Sequence, residues 1–142
     1  MKEKGSFEIW RSDNVLSASV TGLWNGSVAA RYRSEFIKHA SMLLHDRWAH
    51  IVYLDNWVLG TPEIEPIIKD LAHWCNNNNL ACAAHVYSRN MLKEYQLNKM
   101  LVSESNKFEL RHFYSIEEAI DWLHDEEFEV RYPELEVARR FA

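Results

Sequence analysis

Residues 48–55 (Trp-Ala-His-Ile-Val-Tyr-Leu-Asp) form a run dense in β-branched and aromatic side chains, with no strong polar alternation. A strand with one wet face alternates apolar with polar residues, so an unbroken run of this kind is a strand covered on both faces. Such a strand belongs in the middle of a sheet and requires helices packed over it. Residues 80–87 form a second run of the same character. Between the two, Ile64, Ile67, Ile68, Leu71, Ala72 and Cys75 recur at helical spacing. A helix joining two buried strands is a crossover connection, and it makes the strands parallel.

The remaining segments fit around this unit. Residues 6–11 alternate with Phe7 and Ile9 on one side, Asp13-Asn14 marks a turn, and residues 15–21 alternate again, so a β-hairpin opens the domain. Residues 22–26 break that pattern, and Ser27 is placed to cap a helix carrying Ala29, Tyr32, Phe36, Ala40 and Leu43. A loop is expected over 56–60, with a helix start at Thr61-Pro62-Glu63 that Pro66 shifts toward Glu63. Four asparagines at 76–79 end that helix, since asparagine tolerates the left-handed conformation of a C-terminal cap. Ser88 is the expected cap of a third helix, residues 111–114 a last strand, and Ser115-Ile-Glu-Glu118 a capping box for a fourth helix. The order β-β-α-β-α-β-α-β-α predicts a single α/β domain over residues 1–124. It has a mixed, mostly parallel sheet of about five strands with 48–55 central, an N-terminal hairpin, and helices near 27–44, 62–77, 89–101 and 115–124. Residues 125–142 read as a charged C-terminal tail or a short helix from Pro133.

Composition narrows the class further. A hydrophobic fraction of 47% with six tryptophans excludes disorder, and a net charge of -5 argues against a coat for nucleic acid or anionic membrane. No window approaches the roughly eighteen uninterrupted apolar residues of a membrane span, and residues 1–5 lead into no apolar leader segment, so neither membrane insertion nor export is expected. The chain reads as cytoplasmic, with Cys75 and Cys82 as small buried hydrophobes and a disulfide between them as the weaker alternative.

The same order, with Gly22-Leu23-Trp24 before the first helix, 48–55 as central strand and the closing Phe113-Tyr-Ser-Ile-Glu-Glu-Ala-Ile-Asp-Trp-Leu123, resembles the STAS superfamily and more narrowly the bacterial SpoIIAA-like proteins. The resemblance covers residues from about Phe7 to Leu123 and implies a regulatory module without catalysis. It further implies binding of a partner protein, or in some branches a small ligand or lipid, where the second helix begins. The anti-sigma-factor antagonists of that superfamily carry an Asp-Ser-Ser-Gly-type motif with a phosphorylatable serine there. This chain has Leu59-Gly60-Thr61-Pro62-Glu63 instead, with Thr61 the only nearby hydroxyl and the acid missing, so phosphoregulation of that kind is not implied.

In a parallel α/β sheet, ligands gather where strands end and helices begin. The loops there predict a rim of Trp24, Asn25, Asp55, Asn56, Trp57, Thr61, Ser88, Arg89 and Tyr114, aromatic surface beside hydrogen-bonding groups and one fixed cation. Taken singly, Thr61, Ser88 and Ser115 read as helix caps, and Trp24 and Trp57 as covers for the ends of the core. His73, Cys75, Cys82 and His85 invite a zinc reading, but two apart on a helix and three apart on a strand point in divergent directions, so no metal is expected. Glycine-rich phosphate loops, His-Glu-x-x-His and Gly-x-Ser-x-Gly are absent, and no cofactor is implied.

These readings make the chain a non-catalytic module that binds a protein partner at the rim. One alternative is a carrier of a small apolar or anionic, lipid-like ligand lined by Trp24, Trp57 and Met91; the other is an enzyme using Asp55 with His85. Nucleic acid is not expected as a partner, and association with a second copy of the chain is left open.

Overall fold

The computed structural model describes residues 4–101 and 105–130. Its elements run β1 (Ser6–Ser12), β2 (Val15–Trp24), α1 (Gly26–Ala40), β3 (Trp48–Tyr53), β4 (Trp57–Gly60), α2 (Ile64–Asn76), β5 (Leu80–Val86), α3 (Met91–Leu101), β6 (Glu109–Phe113) and α4 (Ile116–Asp125). The sheet has six strands in the order β1-β2-β3-β5-β6, with β4 added on β2. Among the described residues only the β1–β2 hairpin is antiparallel. As the unbroken apolar pattern requires, β3 is central and buried along its whole length.

Alternation along β3 divides the interior into two layers. Trp48 and Val52 face a core shared with Tyr32 and Phe36 of α1, Ile64, Ile68 and Leu71 of α2, and Leu97 and Met100 of α3. Ala49, Ile51 and Tyr53 face the other way, with Ala119, Trp122 and Leu123 of α4. On that second face β2 carries Ser17 and Ser19, which pair with Trp10 of β1 and Tyr53 of β3 respectively. The rings of Trp10 and Tyr53 lie parallel, 6.2 Å apart, so the small serines leave room for two aromatics to close over the strand between them.

Several boundaries differ from the sequence expectation. The strand expected to end at Thr21 continues through Trp24, and the helix after it is capped by Asn25 rather than Ser27: the Asn25 amide oxygen accepts from Val28 N at 3.0 Å. The expected loop 56–60 contains β4, whose Trp57 and Gly60 pair with Gly22 and Trp24 of the lengthened β2. Pairing across such a sequence separation leaves no local trace. Within β4, Leu59 holds a φ of 66°, the left-handed region that a leucine rarely adopts. Pro66 is the third residue of α2, where its missing N–H would have had no intrahelical acceptor. Asn79 has the expected left-handed backbone, with φ 69°. Asn90, not Ser88, caps α3 through a 3.0 Å bond from Lys93 N, and Ser115 caps α4 as expected, accepting from Glu118 N at 3.1 Å. The segment after α4 begins packed, with Phe128 buried in the second core. The predicted helix start at Pro133 lies outside the described residues, as do Arg139, Arg140 and Phe141.

Candidate functional site

The strands' C-terminal ends meet the start of α3, and there the structure gathers four of the predicted rim residues. Asp55 follows β3 and accepts a 2.7 Å hydrogen bond from the backbone N–H of Ser88, which follows β5. This bond ties two parallel strands together beyond their ladder. Next to Ser88, the exposed Arg89 places its guanidinium 5.4 Å from the ring of Tyr114, itself 50% exposed. His112 stands behind Tyr114, edge-on to it at 4.6 Å and stacked on Tyr87 at 3.8 Å. The result is a ladder of rings ending in a surface cation, its geometry set by β5 and β6 being in register at His85↔His112 and Val86↔Phe113. Burial, with Glu94 and Tyr114 adding to it, raises the Tyr87 hydroxyl to about 12, so it remains neutral.

The other predicted rim residues do not join this surface. Trp24 and Trp57 are 3% exposed and turn into the core, the Trp24 indole donating to Thr21 O at 2.9 Å. Asn25 is occupied as a helix cap. Asn56 is exposed, and its carbonyl accepts from Gly22 N at 2.8 Å. The Thr61 hydroxyl is shielded from solvent, and Thr61 N donates to Trp24 O, so this residue bridges β2 and the α2 start through its backbone. Strand continuation is the physical reason for the split: β2 and β4 convert an expected open loop into paired backbone whose large side chains face inward.

Two residues that the sequence reading passed over organise the site. Lys93 on α3 is buried, and its ammonium donates to Leu54 O at 2.8 Å and Asp55 O at 3.0 Å. Burial holds that ammonium below the ordinary lysine range, with nearby Asp55 acting in the opposite sense. One turn on, the Gln96 amide donates to Gly60 O and accepts from Gly60 N, both at 2.9 Å, and so completes the free edge of β4. These inward polar anchors leave Met91, Leu92 and Tyr95 on the outside, 82%, 66% and 67% exposed. The available sequence signal was that positions 93, 96, 97 and 100 share one helical face, which forces two polar residues inward if Leu97 and Met100 are core.

A cavity of about 100 Å³ lies between the sheet and α1–α3, lined by side chains that include Trp24, Phe36, Trp57, Ile68, Leu97 and Phe108. His50 and His85 reach it from β3 and β5. His50 keeps a 2.8 Å contact between Nδ1 and Leu16 O, and burial lowers it to about 4. His85, desolvated and close to His50 and His112, falls to about 3. Both are therefore neutral at physiological pH.

The proposed Asp55–His85 pair is not assembled: Asp55 uses one oxygen on Ser88 N, His85 turns into the apolar cavity, and no hydrogen bond joins them among the described residues. The candidate zinc ligands diverge as their spacing indicated. His73 is exposed, Cys75 lines the cavity, and Cys82 and His85 occupy opposite faces of the sheet. Burial raises the thiols of Cys75 and Cys82, to about 12 and about 11. Among the described residues no helix is long and apolar enough to cross a membrane.

No family model and no curated protein matches the sequence. Solved structures do. An uncharacterized protein of the DUF3478 family with a SpoIIAA-like fold, from Shewanella loihica PV-4, superposes with a TM-score of 0.62 at 13% identity, covering 87% of this chain and 95% of that one. An anti-sigma factor antagonist from Mycobacterium paratuberculosis superposes with a TM-score of 0.53 at 15% identity, covering 86% and 96%. The mixed six-stranded sheet, the four helices and these superpositions together show that the chain has the SpoIIAA-like fold.

Proposed function

We propose that the protein is a regulatory binding module that works by association, and that its contact surface is the rim of Asp55, Ser88, Arg89 and Tyr114. The observation that carries this reading is the Tyr87–His112–Tyr114–Arg89 ladder. It presents an aromatic face and a full positive charge just beyond the ends of β5 and β6, the combination of residue types that dominates binding energy at protein interfaces. An acidic side chain on the partner suits Arg89, since the rim carboxylate Asp55 already accepts from Ser88 N. The likeness to an anti-sigma factor antagonist, a protein described by its action on another protein, supports association over chemistry.

The test is quantitative capture from native extract by wild-type protein, Arg89→Glu and Tyr114→Ala, with circular dichroism confirming the fold of each. A protein retained by wild type and lost from both variants supports the reading; identical capture by all three overturns it. Trp57 is unsuitable as a probe because it is buried.

A second reading, a carrier of a small apolar ligand, is favoured by the cavity alone. Trp24 and Trp57 line it as that reading expects, whereas Met91 stands 82% exposed on the surface. Apolar cavities of this order stay dry and accept small apolar molecules. Benzene or indole at saturating concentration raises Tm if the cavity is a site; an unchanged Tm with both removes the reading.

A further inference from the structure

Helix α3 is inverted relative to an ordinary surface helix. Its buried face sets Lys93 and Gln96 beside Leu97 and Met100, and its exposed face carries Met91, Leu92 and Tyr95 ahead of Asn98 and Lys99, the Lys99 ammonium lying 5.4 Å from the Tyr95 ring. The inversion is not loose packing, because Lys93 and Gln96 each make two close backbone bonds, to the end of β3 and to the edge of β4. A helix fixed in this orientation by satisfied polar anchors holds an apolar ridge in water. We propose that the occupant of this ridge is a second copy of the chain, packed with its own α3 antiparallel to the first about a twofold axis. This deepens the reading above, since ridge and rim share Arg89 and Tyr114.

Two properties point to a second copy. The first is self-complementary charge. Arg89 precedes the helix and lies over Tyr114, while Glu94, in the first turn, lies 3.8 Å from His112. Both charges therefore lie on the flank of α3 that faces β6, on either side of Met91 and Leu92 along the chain. A twofold axis in the interface plane and perpendicular to the helices keeps that flank on the same side and reverses the chain direction. It brings Arg89 of each copy toward Glu94 of the other, twice, with Met91 and Leu92 near the axis. A parallel arrangement about an axis along the helices would put the two charged flanks on opposite sides and form neither pair. The second property is composition. Met91, Leu92, Tyr95 and Tyr114, 82%, 66%, 67% and 50% exposed, supply the aromatic and methionine surface of an interface centre, and the charged flank supplies the polar margin that such interfaces carry.

The test is sedimentation velocity on the purified full chain from micromolar to high micromolar concentration, so no other protein is required. The expected result is a concentration-dependent dimer for wild type. Tyr95→Asp and, as a second exposed substitution, Met91→Lys are expected to sediment as folded monomers. Arg89→Glu weakens the dimer about tenfold or more, and Arg89→Glu combined with Glu94→Arg restores it to within about threefold. A wild type that stays monomeric overturns the proposal, as does a dimer indifferent to Tyr95→Asp and Met91→Lys, or a double charge swap that fails to recover. A monomeric wild type that still captures a protein lost by Arg89→Glu and Tyr114→Ala overturns the second copy and leaves the association reading standing. A dimer whose variants all capture equally does the reverse.

Discussion

The side-chain amide of Gln96 forms a reciprocal pair with the backbone of Gly60, donating to its carbonyl and accepting from its N–H, each at 2.9 Å. It does for β4 what a neighbouring strand would do, and it fastens α3 to the sheet. The adjacent Leu59 holds a left-handed backbone, a strain that persists where surroundings over-determine it, and these two bonds are part of that constraint. Gln96→Leu leaves the Gly60 N–H and C=O without this partner and is expected to lower unfolding free energy by about 1–3 kcal/mol. Urea denaturation monitored by fluorescence gives the value; an unchanged midpoint refutes the assignment.

Gly60 is needed for a different reason. A Cβ on it would collide with Ile64 Cδ1 and meet Cγ1 at 2.8 Å, so Ile64, 1% exposed at the start of α2, must shift toward the cavity it lines. Gly60→Ala should therefore destabilise by about 1–3 kcal/mol through overpacking. The companion Gly60→Ala/Ile64→Val variant recovers part of that loss if the clash is the cause, which thermal unfolding of the pair measures directly.

Lys93 joins the helix start to the backbone just after β3 through Leu54 O and Asp55 O. Lys93→Met keeps the aliphatic stem and removes both bonds. Global stability is expected to change by only about 1–2 kcal/mol, because the buried ammonium also carried a desolvation cost. Amide exchange across α3 should accelerate well before that of β3, and equal acceleration in both elements would count against a local fastening role.

The two buried histidines make the fold acid-sensitive. His50 and His85 are held neutral, lowered by burial to about 4 and about 3, while in the unfolded chain each titrates near the ordinary 6.5. Below about pH 6.5 the unfolded state binds protons that the folded state refuses, so stability falls as pH falls and is fully present above that value. The loss runs down through the folded values, and its size is of the order of a few kcal/mol. Denaturation midpoints from pH 7.5 to 4.5 should drop, and a His50→Gln/His85→Gln variant should show a shallower slope.

Periodicity determined the parallel core of this chain's architecture. The unbroken apolar run at 48–55 required a central strand, the spacing of Ile64, Ile68, Leu71 and Cys75 required a crossover helix, and Ser115 with Glu118 marked the start of α4; each is local and repeats over enough residues to stand out. Of the candidate rim, Asp55, Ser88, Arg89 and Tyr114 were legible because strand ends and helix starts are legible. Only the tertiary structure decided the rest. That Trp24 and Trp57 turn inward depends on β2 pairing with β4, and that Lys93 and Gln96 point into the protein depends on acceptors at Leu54, Asp55 and Gly60, more than thirty residues away. Polar side chains bury themselves only where distant backbone groups meet them, and the identity of those groups is fixed by packing, not by any pattern along the chain.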